Sequence, residues 1–134
     1  MSTLVDSNVL IDVLSEDPRW FEWSAAALAK AVERAALCIN PIIYAEVAVG
    51  YPSSAAVDRA LAEKQFERLA LPYAAGFLAG RAFVEYRRRG GVRQAPLPDF
   101  YIGAHALVEG HTLLTRDPVR YRAYFPKLKL ICPE

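Results

Sequence analysis

Two cysteines in 134 residues are too sparse for a secreted disulfide scaffold, and Cys38 and Cys132 lie too far apart in the chain for the close ligand spacing of a zinc site. Both thiols are expected to be buried and reduced. No apolar run reaches the ~20 residues of a membrane span. The longest charge-free stretches, 69–80 and 35–45, are shorter and contain proline. Asp6 comes too early for the basic and apolar regions of a secretory signal, so a cytosolic protein without membrane contact is expected. G-x-x-x-x-G-K-[ST], G-x-G-x-x-G and G-x-S-x-G are also missing, which removes the main support for nucleotide triphosphatase, dinucleotide and serine-hydrolase chemistry.

A large net charge is absent as well, at +1, but the charges are unevenly placed. Residues 1–67 carry ten acids and five bases, and residues 68–134 carry five acids and eleven bases. The bases gather around Arg87, Arg88 and Arg89 and again from Arg116 through Arg120 to Lys129, so a basic surface can exist on a nearly neutral chain. On charge alone, a solvated helix face and a solvated C-terminal loop are the favoured account of these runs.

What is present is a 54% hydrophobic composition arranged as short apolar runs alternating with helical patterns. Strands are expected at 3–5, 37–39, 112–115 and 128–131, with a further short one at 69–72. Helices are expected from about Val9 to Leu14, after the cap and turn residues Asp6-Ser7-Asn8, from Asp17 to about Ala36, from Pro41 to Gly50, from Ser53 to Arg68, from Tyr73 to Arg89 and from Pro98 to Glu109. The alternation predicts one α/β domain over residues 1–134, a mainly parallel sheet with helices on both faces.

Ligands of an open parallel sheet bind beyond the carboxyl ends of its strands. Asp6 closes the first strand, Asp117 follows the Thr112 strand, Glu46 lies on the helix after the Leu37 strand, and Asp99 begins the helix leading to Thr112. Taken singly, Asp6 and Asp117 read as helix caps and Asp99 as a first-turn acid facing the helix dipole. Glu46 differs, because its helix is apolar nearly all round and is expected to be buried, where a carboxylate needs an arginine, a proton or a metal ion. Four carboxylates at one edge favour a hard cation, Mg²⁺ or Mn²⁺, and disfavour zinc there. His105 and His111 are read as packed or solvated residues.

The segments Val5–Ile11, Asn40–Val47, Leu97–Ala106 and Leu113–Asp117 resemble, in this order, the motifs of the PIN-domain family, with the closest likeness to the VapC toxins of prokaryotic toxin–antitoxin pairs. The resemblance implies a PIN-like three-layer fold with a five-stranded parallel sheet. It implies a Mg²⁺- or Mn²⁺-dependent endoribonuclease that cuts tRNA or rRNA, with Asp6, Glu46, Asp99 and Asp117 as the acidic, metal-binding set and Ser7 and Thr115 as supporting hydroxyls. A cognate VapB-like antitoxin and a homodimer are implied too. Arg87, Arg88, Arg89, Arg116 and Arg120 are candidate RNA contacts, although Arg116 and Asn8 also fit the motifs structurally. Two other readings remain open: a non-catalytic interaction module, and a phosphatase of the haloacid-dehalogenase type, whose second Asp is here Asn8.

Overall fold

The computed structural model describes residues 2–134. It opens with the expected pair, β1 (Ser2–Val5) and α1 (Ser7–Leu14), and Leu4 and Val5 are fully buried, as befits a strand covered on both faces. α2 (Phe21–Val32) is shorter than the predicted helix. Asp17 is the reason at its start: the carboxylate accepts the N–H groups of Arg19 and Trp20 at 3.0 and 2.8 Å and holds a turn there. β2 (Ala36–Ile39) takes over the residues at its other end. α3 (Pro41–Ala48) begins where proline and cap coincide, with Asn40 Oδ1 accepting the Ile43 N–H at 2.9 Å.

The stretch from 53 to 72 departs from expectation. Only α4 (Ser54–Ala60) is helical, because Leu61 leaves helical backbone at φ −110° and ψ 62°. The strand is β3 (Glu67–Arg68) rather than 69–72, although the Leu69 N–H still reaches Ile39 O at 2.9 Å. Pro72 has no N–H to continue the ladder, and an edge strand made of two exposed charged residues carries no apolar signal.

α5 (Tyr73–Arg88), α6 (Pro98–Glu109) and β4 (Thr112–Leu114) follow the sequence reading. An unpredicted short helix, α7 (Val119–Tyr124), precedes β5 (Leu130–Ile131). Gly103 lets α7 lie directly on α6, since a Cβ there would come within 2.6 Å of the Phe125 ring and 3.0 Å of Tyr121. Phe100 on α6 meets the Tyr124 ring edge-on at 5.1 Å. Cys38 is buried, but Cys132 is only half-buried: it lies past the end of β5, where Arg122 Nη2 approaches its Sγ at 3.3 Å.

All five strands are parallel, in the order β3-β2-β1-β4-β5. The chain therefore builds outward from β1 to β3, then crosses back to place β4 on the other side of β1. That reversal opens a crevice beyond the carboxyl ends of β1 and β4, where Asp6 and Thr115 emerge side by side. The Asp6 N–H donates to Leu114 O at 2.8 Å and closes the two strands together at this point.

Candidate active site

Asp6 stands at the N-cap position of α1, yet its side chain makes no capping hydrogen bond. Its Oδ2 instead accepts from Thr115 Oγ1 at 2.8 Å, Tyr121 Oη at 2.9 Å and Asn8 Nδ2 at 3.4 Å. Three donors on one oxygen fix the carboxylate and leave Oδ1 without a hydrogen-bond partner among the described residues. Burial, reinforced by the charges of Asp99 and Glu46, pushes the carboxyl up to about 6 even though the Thr115 and Tyr121 hydroxyls oppose the shift. Asp6 therefore sits in a place that favours either a proton or a cation.

Glu46 is held from α1, by Ser7 Oγ donating to Oε1 at 2.7 Å. It is half-buried rather than enclosed, since only Ile43 and Val47 of α3 are buried and Val49 is 88% exposed. The expectation of a helix buried all round fails because α3 packs on α1, α4 and α6 from one side while its other side faces solvent. Burial still raises its pKa, with Asp99 adding to the shift and Ser7 opposing it. Asp99, in the first turn of α6, is met by Arg120 of α7, with Nη1 3.2 Å from Oδ2. A cation is thus already present at one carboxylate of the group, supplied by the chain itself.

Asp117 lies apart from these three. It is exposed at the rim and linked to them through Thr115, whose Oγ1 accepts its N–H at 3.1 Å. Among the described residues no three of the four carboxylates approach within 4.8 Å of one another. The structure places Asp6, Glu46 and Asp99 in mutual electrostatic reach and leaves Asp117 as an outer member.

Arg116 is drawn inward. Its Nε donates to the buried Asp12 at 2.7 Å, Asp12 also accepts from Ser24 Oγ at 2.8 Å, and the guanidinium lies over the Trp20 ring at 5.4 Å. This network ties α1, α2 and the loop after β4 together, the structural role its motif position suggested. Arg87, Arg88 and Arg89 end α5 as exposed residues, with Arg89 Nε on Glu85 at 3.0 Å and Arg87 Nη1 on Arg93 O at 2.7 Å. Sequence reasoning missed Tyr121 as a partner of Asp6 and Asp12 as the anchor of Arg116. Neither carries a local signal, because both are defined by partners more than a hundred residues away.

The PIN domain family model matches residues 3–126 of the chain. No curated protein matches it in sequence. Among solved structures it is similar to VapBC-1 from nontypeable Haemophilus influenzae, at 20% identity and a TM-score of 0.73 over 98% of each chain. It is likewise similar to a toxin–antitoxin complex from Klebsiella pneumoniae, at 24% and 0.71 over 98% of each chain. VapBC2 from Rickettsia felis, bound to a DNA fragment from its promoter, gives 20% and 0.72 over the whole of both chains. These likenesses show the fold.

Proposed function

The chain belongs to the PIN-domain family, whose members are generally nucleases, and from that premise we propose that it is a divalent-metal-dependent endoribonuclease. In this reading it is the toxin of a VapBC-type pair, hydrolysing phosphodiester bonds of tRNA or rRNA and so inhibiting translation. The observation that carries the reading is Asp6: a buried carboxylate, pinned through one oxygen and repelled by two neighbouring anions. An all-oxygen donor set of this kind fits Mg²⁺ or Mn²⁺.

Asp6 and Asp99 would hold the ion, with Glu46 and Asp117 binding it directly or through water. Bound there, such an ion supplies relief of charge at the scissile phosphate and a more acidic water. Ser7 occupies Glu46 Oε1 and leaves Oε2 to accept the proton of the attacking water, a task suited to a carboxylate with a raised pKa. Thr115 and Tyr121 keep Asp6 from turning out of the crevice. Arg120, once displaced from Asp99, joins Arg87, Arg88 and Arg89 in holding RNA phosphates.

Incubating the purified chain with total RNA tests the proposal. Cleavage with Mg²⁺ or Mn²⁺, its loss in EDTA and its loss in Asp6→Asn are expected, whereas cleavage that persists in chelator overturns the metal mechanism. An inactive protein that still binds an arginine-rich partner would favour the interaction module. A cognate VapB-like antitoxin should present a basic side chain to the same carboxylates. Co-expression with the neighbouring small open reading frame should then relieve growth arrest, and harmless expression of the wild-type chain alone would remove the toxin role. The expected homodimer is checked by sedimentation.

A further inference from the structure

His105, Glu109 and His111 form a second cluster at the opposite end of α6, about 15 Å of helix rise from Asp99. The i,i+4 spacing sets His105 and Glu109 on one face of the helix. Gly110, at φ 72°, turns the chain left-handed, so that the His111 N–H reaches Ala106 O at 2.9 Å. The His111 ring is thereby returned to His105, with centroids 5.7 Å apart and planes at 75°. One ligating atom from each of the three residues lies within 4.8 Å of the others.

His105 is fully buried, and its Nε2 and the Nε2 of His111 are buried without a hydrogen-bond partner among the described residues. A buried polar atom without a partner is unfavourable, so a shared partner for the two is favoured. Glu109 is exposed and leaves the cluster open to solvent on one side. Burial and the neighbouring His111 lower the His105 pKa, against the opposing charge of Glu109.

We propose that His105 Nε2, His111 Nε2 and a Glu109 oxygen form a site for a borderline transition-metal ion, Zn²⁺ in the first instance, with water as fourth ligand. Two imidazoles and a carboxylate suit Zn²⁺ rather than Mg²⁺, so this ion differs in kind from the one proposed for the acid crevice and does not depend on it.

Ligation has a consequence at Asn40. In the metal-free protein the Ile43 N–H engages Asn40 Oδ1. Asn40 Nδ2 therefore donates to His105 Nδ1 at 2.9 Å and the imidazole proton resides on Nε2. A metal on Nε2 moves that proton to Nδ1, with no net release, and requires the Asn40 amide to turn its oxygen to the ring. The turn gives up the cap of α3, a loss that metal binding outweighs. Occupancy at the end of α6 is in this way coupled to the start of α3, the helix that carries Glu46.

The test is calorimetric titration of Zn²⁺ into the full chain in excess Mg²⁺, using both wild type and Asp6→Asn, in which the acid crevice is disabled. One equivalent should bind to both. His111→Ala and Glu109→Gln should each weaken binding by roughly tenfold or more while leaving the melt of the metal-free protein in place. Asn40→Asp, which can cap Ile43 through one oxygen and accept from Nδ1 through the other, should tighten binding by roughly tenfold. No binding to Asp6→Asn, or unchanged affinity in His111→Ala, overturns the site. Unchanged or weaker binding in Asn40→Asp overturns ligation through His105 Nε2.

Discussion

The two ends of α6 pose opposite electrostatic problems. At its first turn Asp99 joins Asp6 and Glu46, anions whose hydrogen-bond donors are already in place and whose remaining difficulty is one another's charge. Towards its other end, and just beyond it, the Nε2 atoms of two imidazoles are buried without hydrogen-bond partners among the described residues. The crowded end is stabilised by anything positive, including Arg120, whereas the orphaned end needs a directional ligand. One helix can therefore serve two kinds of chemistry, because what each end lacks differs: charge in one case, a bond in the other.

The sharpest way to break this comparison is to remove charge from the crowded end. Asp99→Asn and Glu46→Gln should each reduce RNA cleavage on the order of 10³-fold, about 4 kcal/mol of transition-state stabilisation. The melting temperature of the metal-free protein should hold or rise as repulsion is relieved. Cleavage assays paired with thermal melts check this, and near-wild-type cleavage in either variant would remove that residue from the site.

The next effect is on pH dependence. A carboxyl raised in the fold to about 6 from an ordinary value of 3.8 binds its proton more tightly in the native state than in the unfolded one. The stability it contributes is therefore fully present below pH 3.8 and is lost as pH rises through 6. For metal-free protein this amounts to about 3 kcal/mol between those values. Urea melts from pH 4 to 7 should show the decline, and Asp6→Asn or added Mg²⁺ should flatten it. An equal slope in Asp6→Asn would assign the decline to other groups.

Tyr121→Phe sharpens the distinction between charge and bonding, since it deletes one donor to Asp6 and no charge. Loss of a hydrogen bond to a buried charged group should cost ~1.5–3 kcal/mol of stability, and affinity for a divalent cation should fall by roughly tenfold. Electron paramagnetic resonance of bound Mn²⁺ reads the affinity apart from turnover, and cleavage should recover at saturating Mn²⁺. Unaltered Mn²⁺ affinity would reduce Tyr121 to a packing residue.

The smallest effect is expected at the basic end of α5. Replacing Arg87, Arg88 and Arg89 together by alanine should lessen the logarithmic salt dependence of RNA binding by about 1 to 2. It should not reach the full three-residue value, because Arg89 is paired with Glu85 and Arg87 with a carbonyl. An unchanged slope measured by filter binding would leave the run as a solvated helix end.

Much of the fold was legible because its signals are local. Asn40-Pro41 marks a helix start, Gly110 a helix end, and the apolar runs at 3–5 and 37–39 are central strands covered on both faces. β3 escaped because an exposed two-residue edge needs no apolar pattern, and α7 because six residues are too few to show periodicity. Asp6 was recognisable as a chemical candidate from its position after β1, but its neighbours were only partly so. Thr115 belongs to a motif, whereas Tyr121 has its meaning solely through Gly103, which admits α7 to the surface of α6.

By itself the sequence determined the alternation of strands and helices, the four acidic positions, and the poverty of nitrogen and sulfur ligands, since each depends on residue type and near spacing. Tertiary structure alone decided which acids share a field, that Asp117 stands outside it, that Arg120 rests on Asp99, and that the Nε2 atoms of two histidines are buried without partners among the described residues. The physical reason is that electrostatic coupling and desolvation depend on distance and on excluded water. Both are properties of the packed chain, and two residues a hundred positions apart acquire them only when the sheet reverses direction between β3 and β4.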